Sequence, residues 1–109
     1  MPTRLGDFEL LILQLLTQLE ADPHGAVIRE AVEQSMGRLV SPGAIYNTLD
    51  RLERRGLVSS ALGESSARRG GKRRRHYHLE PAGVTALEGA RASLLSLAAT
   101  LGALPATKP

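Results

Sequence analysis

The strongest constraint on this fold is a change of hydrophobic period at Gly56. Before it, the stretch V-S-P-G-A-I-Y-N-T-L-D-R-L-E-R-R-G-L-V at 40–58 reads as a helix with both ends marked. The Ser41 hydroxyl suits an N-cap, where it accepts a bond from an orphan backbone N–H. Pro42 stands at the first helical position, where its missing N–H costs nothing. Ile45, Leu49 and Leu52 recur at i, i+4 and i+7, one apolar face of a 3.6-residue period. Gly56 follows the last periodic residue and can close the helix in the left-handed conformation. The adjoining face carries Ala44, Asn47, Thr48, Arg51 and Arg55, which are short, polar or cationic, while Asp50 is within i+4 reach of Arg54. A buried apolar face beside a basic outer one suits a helix lying in the DNA major groove.

After Gly56 the period drops to two. Residues 57–62 predict a strand and 75–79 its partner, with Tyr77 and Leu79 on one face and His76 and His78 on the other. The segment between them has no apolar periodicity, and Gly70-Gly71 permits a tight reversal. From Arg68 to Arg75 it carries six cations (Arg68, Arg69, Lys72, Arg73, Arg74, Arg75) and no acid. Strand, basic tip, strand, directly after two helices and a turn, is the order of a winged helix-turn-helix.

Upstream, Asp7 is the expected cap of a first helix whose stripe is Phe8, Leu11, Ile12, Leu15, Leu16 and Leu19. Leu10 and Leu13 lie off that stripe and form a second apolar edge, which calls for cover by something else, a second subunit being one candidate. A second helix is expected from His24 or Gly25 to Met36, with Ile28, Ala31, Val32, Ser35 and Met36 inward. Gly37 to Val40 is a short connection in which Leu39-Val40 can form a brief strand. Pro81 opens the last helix. Leu87, Leu94 and Leu101 fall seven apart, as do Ala90, Leu97 and Leu104 in the companion column, a short heptad seam. The fold class is therefore mainly α with a small β-hairpin (α+β). Its expected divisions are a winged helix-turn-helix domain at 5–80, a dimerisation helix at 81–104 and a disordered tail at 105–109, since Pro105 cannot continue the helix.

Charge is segregated along the chain. Residues 41–80 hold nine Lys or Arg against four acids, whereas residues 1–40 hold three Arg against six acids. A concentrated cationic block reads as a footprint for a polyanion. With no Cys there is no disulfide framework and no thiolate chemistry. No signal-like or membrane-length apolar run occurs, so the expected setting is cytoplasmic. The H-x-H pair His76/His78 reads as strand residues rather than a zinc site, and neither metal nor cofactor is expected. An enzyme is not expected either, because a Gly-rich phosphate loop, a nucleophile–base arrangement and paired carboxylates are all lacking.

These residues together resemble the PadR family of bacterial winged-helix transcriptional regulators, over roughly residues 5–101. The most specific part is 41–58, with its Ser-x-Gly start, the Ile45-Tyr46 pair and Leu49-x-x-Leu52-Glu53-x-x-Gly56-Leu57-Val58. His24-Gly25, the basic stretch before Tyr77-x-Leu79, and Ala82-Gly83 support it. The resemblance implies a homodimeric regulator, usually a repressor, on double-stranded DNA. Its recognition helices would take successive major grooves and its wings the flanking minor groove. It implies phosphate contact by Tyr46 and close backbone approach at Ser41, Gly43 and Ala44. It also implies dimerisation through the last helix with the first, here Leu10, Leu13, Leu87, Leu94, Leu97 and Leu101. The chain departs from the pattern at Ala26, Ala44, Asn47 and Glu80.

Together these readings give a DNA-binding set of Ser41, Gly43, Ala44, Tyr46, Asn47, Thr48 and Arg51, with the six wing cations on the backbone. A small-molecule effector is left open, and an aromatic sandwich for one is disfavoured because Trp is absent and Phe8 is the single Phe. The competing reading is a protein- or RNA-interaction module on the same scaffold, since fold does not fix function.

Overall fold

A computed structural model describes residues 4–64 and 73–102. Helices α1 (Asp7–Gln18), α2 (Gly25–Met36) and α3 (Pro42–Arg54) are followed by strands β1 (Val58–Leu62) and β2 (Arg75–Leu79) and by helix α4 (Pro81–Gly102). The strands pair antiparallel, with Val58 opposite Leu79 and Leu62 opposite Arg75. The α1–α2 connection adds to the same sheet: His24 bridges His76, and the Tyr77 N–H donates to the Pro23 carbonyl at 2.9 Å.

Local chemistry sets the helix ends. The Ser41 side chain accepts from the Ala44 N–H at 3.2 Å, and Gly37 and Gly56 take positive φ of 68° and 75°. Replacing Ser41 by Ala is expected to lower stability by about 1 kcal/mol, read as a fall in the urea midpoint with unchanged slope. At α1 the cap is Gly6 rather than Asp7. The Glu9 carboxylate reaches back to the Gly6 N–H at 3.0 Å, which places Asp7 inside the first turn. Leu39-Val40 is irregular rather than a strand, because the Val40 N–H donates to the Glu33 carboxylate at 2.7 Å instead of to a neighbouring strand.

The core gathers Ile12, Leu13, Leu15 and Leu16 of α1, Ile28 and Val32 of α2, and Ile45, Leu49 and Leu52 of α3. Val40, Leu57, Val58, Tyr77 and Leu87 complete it. Leu13 is therefore a core residue, fully enclosed by its own chain, and Leu87 is nearly so. Neither has the apolar surface for a partner that the sequence suggested. Ser35, expected to face inward, is exposed.

The far half of α4 leaves this core. Every residue from Arg91 to Gly102 is exposed, and Leu94, Leu95, Leu97 and Leu101 keep half or more of their surface. The helix is anchored at its near end, where Gly83 packs on the Leu57 carbonyl, and the Arg91 guanidinium donates to Gln14 Oε1 at 2.7 Å. The resulting molecule is elongated, 61 × 35 × 23 Å, with a radius of gyration of 16.8 Å, against about 13 Å for a compact chain of 100 residues.

Candidate nucleic-acid interface

Helix α3 meets the core with Ile45, Leu49 and Leu52, all fully buried. That docking turns Gly43, Ala44, Tyr46, Asn47 and Arg51 outward. Ser41, Ala44, Asn47, Thr48 and Arg51 line one shallow depression of about 440 Å³, shared with Phe8 of α1 and with Arg38, Leu39 and Val40 of the α2–α3 connection.

Thr48 is not part of the exposed set. It is 3% exposed, its hydroxyl donates to the Ala44 carbonyl at 2.8 Å, and it accepts from Arg51 Nη2 at 3.2 Å. Its hydroxyl is thus spent inside the helix, a common habit of Thr one turn after a carbonyl. Its contribution is to steer Arg51, not to reach a phosphate.

Arg51 is also watched from α1: its Nε lies 4.0 Å from Glu9 Oε2, and Arg55 Nη1 lies 3.9 Å from the same oxygen. Glu9 therefore caps α1 and faces two arginines of α3. Long, half-exposed pairs of this kind are worth little on their own, so they orient the guanidinium without holding it back. Nothing in the spacing of the sequence signals Glu9, because the contact joins different helices.

Tyr46 is 43% exposed, yet a methyl group added at Gly25 would overlap its ring. The ring rests on the backbone at the start of α2, which explains the need for Gly at that position.

The root of the hairpin is tied to both α3 and the α1–α2 connection. Ser60 Oγ donates to the Glu53 carboxylate at 2.8 and 2.9 Å and accepts from Arg75 Nη1 at 3.0 Å. Arg75 thus points back at the end of α3. On the other strand face, the His76 Nδ1–H donates to the Asp22 carbonyl at 2.6 Å, and the His78 Nδ1–H donates to the Asp22 carboxylate at 3.1 Å. Arg74 Nη1 lies 2.8 Å from His24 Nε2; a guanidinium only donates, so this imidazole nitrogen accepts. Arg73 Nε donates to the Gly63 carbonyl at 2.7 Å. Arg73, Arg74 and Arg75 are exposed; Arg68, Arg69 and Lys72 lie outside the described residues. Burial pushes the Tyr77 phenol above its ordinary pKa, with Asp50 adding to the shift, so it is a neutral packing group. Among the described residues no group of three or more His, Cys, Asp or Glu is placed to hold a metal ion, and no helix is long and apolar enough to cross a membrane.

A second groove, about 600 Å³, runs between the start of α1 and the far half of α4, with Leu5, Leu10, Ala90, Leu94 and Leu97 among its walls. Of the residues assigned to dimerisation, Leu10, Leu94, Leu97 and Leu101 retain exposed or half-buried surface.

The sequence model of the transcriptional regulator PadR-like family matches residues 12–89. A PadR-like transcription factor from Bacteroides fragilis has a similar structure, with a TM-score of 0.73 at 26% identity over 86% of this chain and 85% of that one. A PadR-like regulator from Bacillus cereus gives 0.69 at 26% identity, covering 86% of each chain. RosR of H. salinarum gives 0.68 at 28% identity over 84% of this chain and 76% of the other. An uncharacterized 37.1 kDa protein of a Streptomyces fradiae transposon is 36% identical over 85 residues, so the match takes in 78% of this chain and 22% of that relative's length.

Proposed function

This chain belongs to the PadR-like family of transcriptional regulators, and from that premise we propose that it acts as a homodimeric repressor on a pseudo-palindromic operator. Helix α3 enters the major groove. Asn47 reads a base, with an adenine as the matching edge, and Arg51 takes a guanine or a phosphate. Tyr46, Ser41, Gly43 and Ala44 fix the register on the backbone, as most protein–DNA hydrogen bonds do. The hairpin cations hold the flanking phosphates. The chain divides into the DNA-binding unit at 5–80 and the dimer arm at 81–104.

The observation that carries this reading is the outer face of α3: Ala44, Asn47 and Arg51 are exposed, and α3 contributes no acid among them, on a helix whose opposite face is locked into the core. The dimer arm is supported by the exposed leucines of α4, an apolar surface that water does not favour. Two copies related by a two-fold axis would present their α3 helices about one helical turn apart, roughly 34–36 Å.

The test is selection of bound sequences from random duplexes, followed by titration of the recovered operator. Asn47→Ala is expected to weaken operator binding roughly tenfold, the worth of one good bidentate pair, while leaving random-duplex binding unchanged. Equal losses on both duplexes would assign Asn47 to the backbone. A chain that recovers no sequence and ignores duplexes in dilute buffer would overturn the reading.

A further inference from the structure

We propose that Leu39 is a specificity-determining residue that meets the 5-methyl group of a thymine beside the base read by Asn47. The inference rests on the DNA-binding reading above and adds to it the class of base pair recognised.

Leu39 is 85% exposed. A lone exposed leucine on an ordinary surface needs no explanation, and two observations separate this one from that case. The first is that its outward position is built. On one side Gly37 ends α2 with φ +68° and its N–H on the Glu33 carbonyl at 2.9 Å. On the other, Val40 is buried and its N–H is held by the Glu33 carboxylate at 2.7 Å, which in turn lies 3.7 Å from Arg29 Nε. One glutamate therefore fixes both ends of the connection, and Ser41 caps α3 immediately after it. Leu39 sits between fixed points, not on a slack loop.

The second observation is its company. Leu39 lines the same depression as Ala44, Asn47 and Arg51. An amide suited to adenine N6 and N7 thus shares a surface with two aliphatic side chains. In the major groove the thymine methyl is the carbon group that a base edge presents, and apolar side chains meet it there. Cytosine carries only a hydrogen at C5, so it offers Leu39 no methyl to meet, and it replaces the O4 acceptor of thymine with an N4 amino donor. The combination reads A·T pairs: adenine by the amide, thymine by Leu39.

The experiment uses the full chain and the operator recovered by selection, with each thymine replaced in turn by deoxyuridine. That change removes the methyl and leaves base pairing intact. The wild-type protein is expected to lose about fourfold in affinity at one thymine of each half-site, the worth of one buried carbon group. Leu39→Ala should bind the unmodified operator more weakly by a similar factor and be indifferent to deoxyuridine at that position. Its binding to random duplex and its salt dependence should match the wild type. A Leu39→Ala protein that keeps full operator affinity, or that responds to deoxyuridine at every thymine as the wild type does, would overturn the assignment while leaving the DNA-binding reading in place. A wild-type chain that selects no sequence would remove that reading, and this one with it.

Discussion

Replacing Gly83 by alanine is expected to destabilise the chain by about 1–3 kcal/mol, the usual cost of forcing a methyl group into filled space. The added Cβ would overlap the Leu57 carbonyl oxygen and sit 2.7 Å from Leu79 Cδ1. The carbonyl cannot move aside freely. It accepts the Glu80 N–H at 3.0 Å, while the Leu57 N–H donates to the Leu52 carbonyl at 3.0 Å. Leu57 is thus pinned to the end of α3 and to the start of α4 together, and pushing it disturbs both. The better helix propensity of Ala, up to about 1 kcal/mol in a helix interior, offsets part of the cost. Melting followed by far-UV circular dichroism should fall by roughly 5–20 °C, given about 4–8 °C per kcal/mol for domains of this size. Gly43→Ala is the matched control: nothing lies within 4 Å of the added methyl, so its stability should hold or rise. Equal losses at the two positions would mean that generic glycine effects, not the α4–β1 contact, set the result.

That contrast marks what a sequence reveals and what it hides. The Ser41 cap, the Pro42 start and the Gly56 stop act within one turn, so they are written in adjacent residues and the structure repeats them. The fold class followed from the change of period at Gly56, which needs no knowledge of packing. Gly83 was visible only as part of a family resemblance, because the reason for it is a carbonyl 26 positions earlier in the chain. Leu13 was misread for a related cause. The helical period put it beside the main stripe, yet α1 is surrounded by α2, α3, α4 and β2, so more than one stripe of it is buried. Thr48 looked like a surface residue by its polarity, but its hydroxyl bonds to a carbonyl of its own helix. Glu9 facing Arg51 and Glu33 fixing Val40 are contacts between elements, which no periodicity announces. The candidate site was thus legible in its residue types and its helix face, and illegible in the contacts that aim each side chain.

The second large effect concerns the hairpin. Arg73→Ala with Arg74→Ala is expected to weaken binding to every duplex alike and to flatten its dependence on salt. The two residues in each of two subunits would neutralise about four phosphates, and each phosphate contributes about 0.9 to the slope of log affinity against log salt. The slope should therefore become shallower by roughly 3–4, with affinity falling by up to about 10³-fold at 0.1 M salt. Both side chains are exposed and their partners, the Gly63 carbonyl and His24, lie at the surface or half-buried. Losing such contacts should move stability by no more than about 0.5 kcal/mol, so the binding defect can be read apart from folding. Operator preference should survive, because phosphate contacts carry no base information, and this separates the hairpin from Asn47. An unchanged slope would place these arginines away from the phosphates and confine their role to the local bonds with Gly63 and His24. DNA contact would then rest on α3.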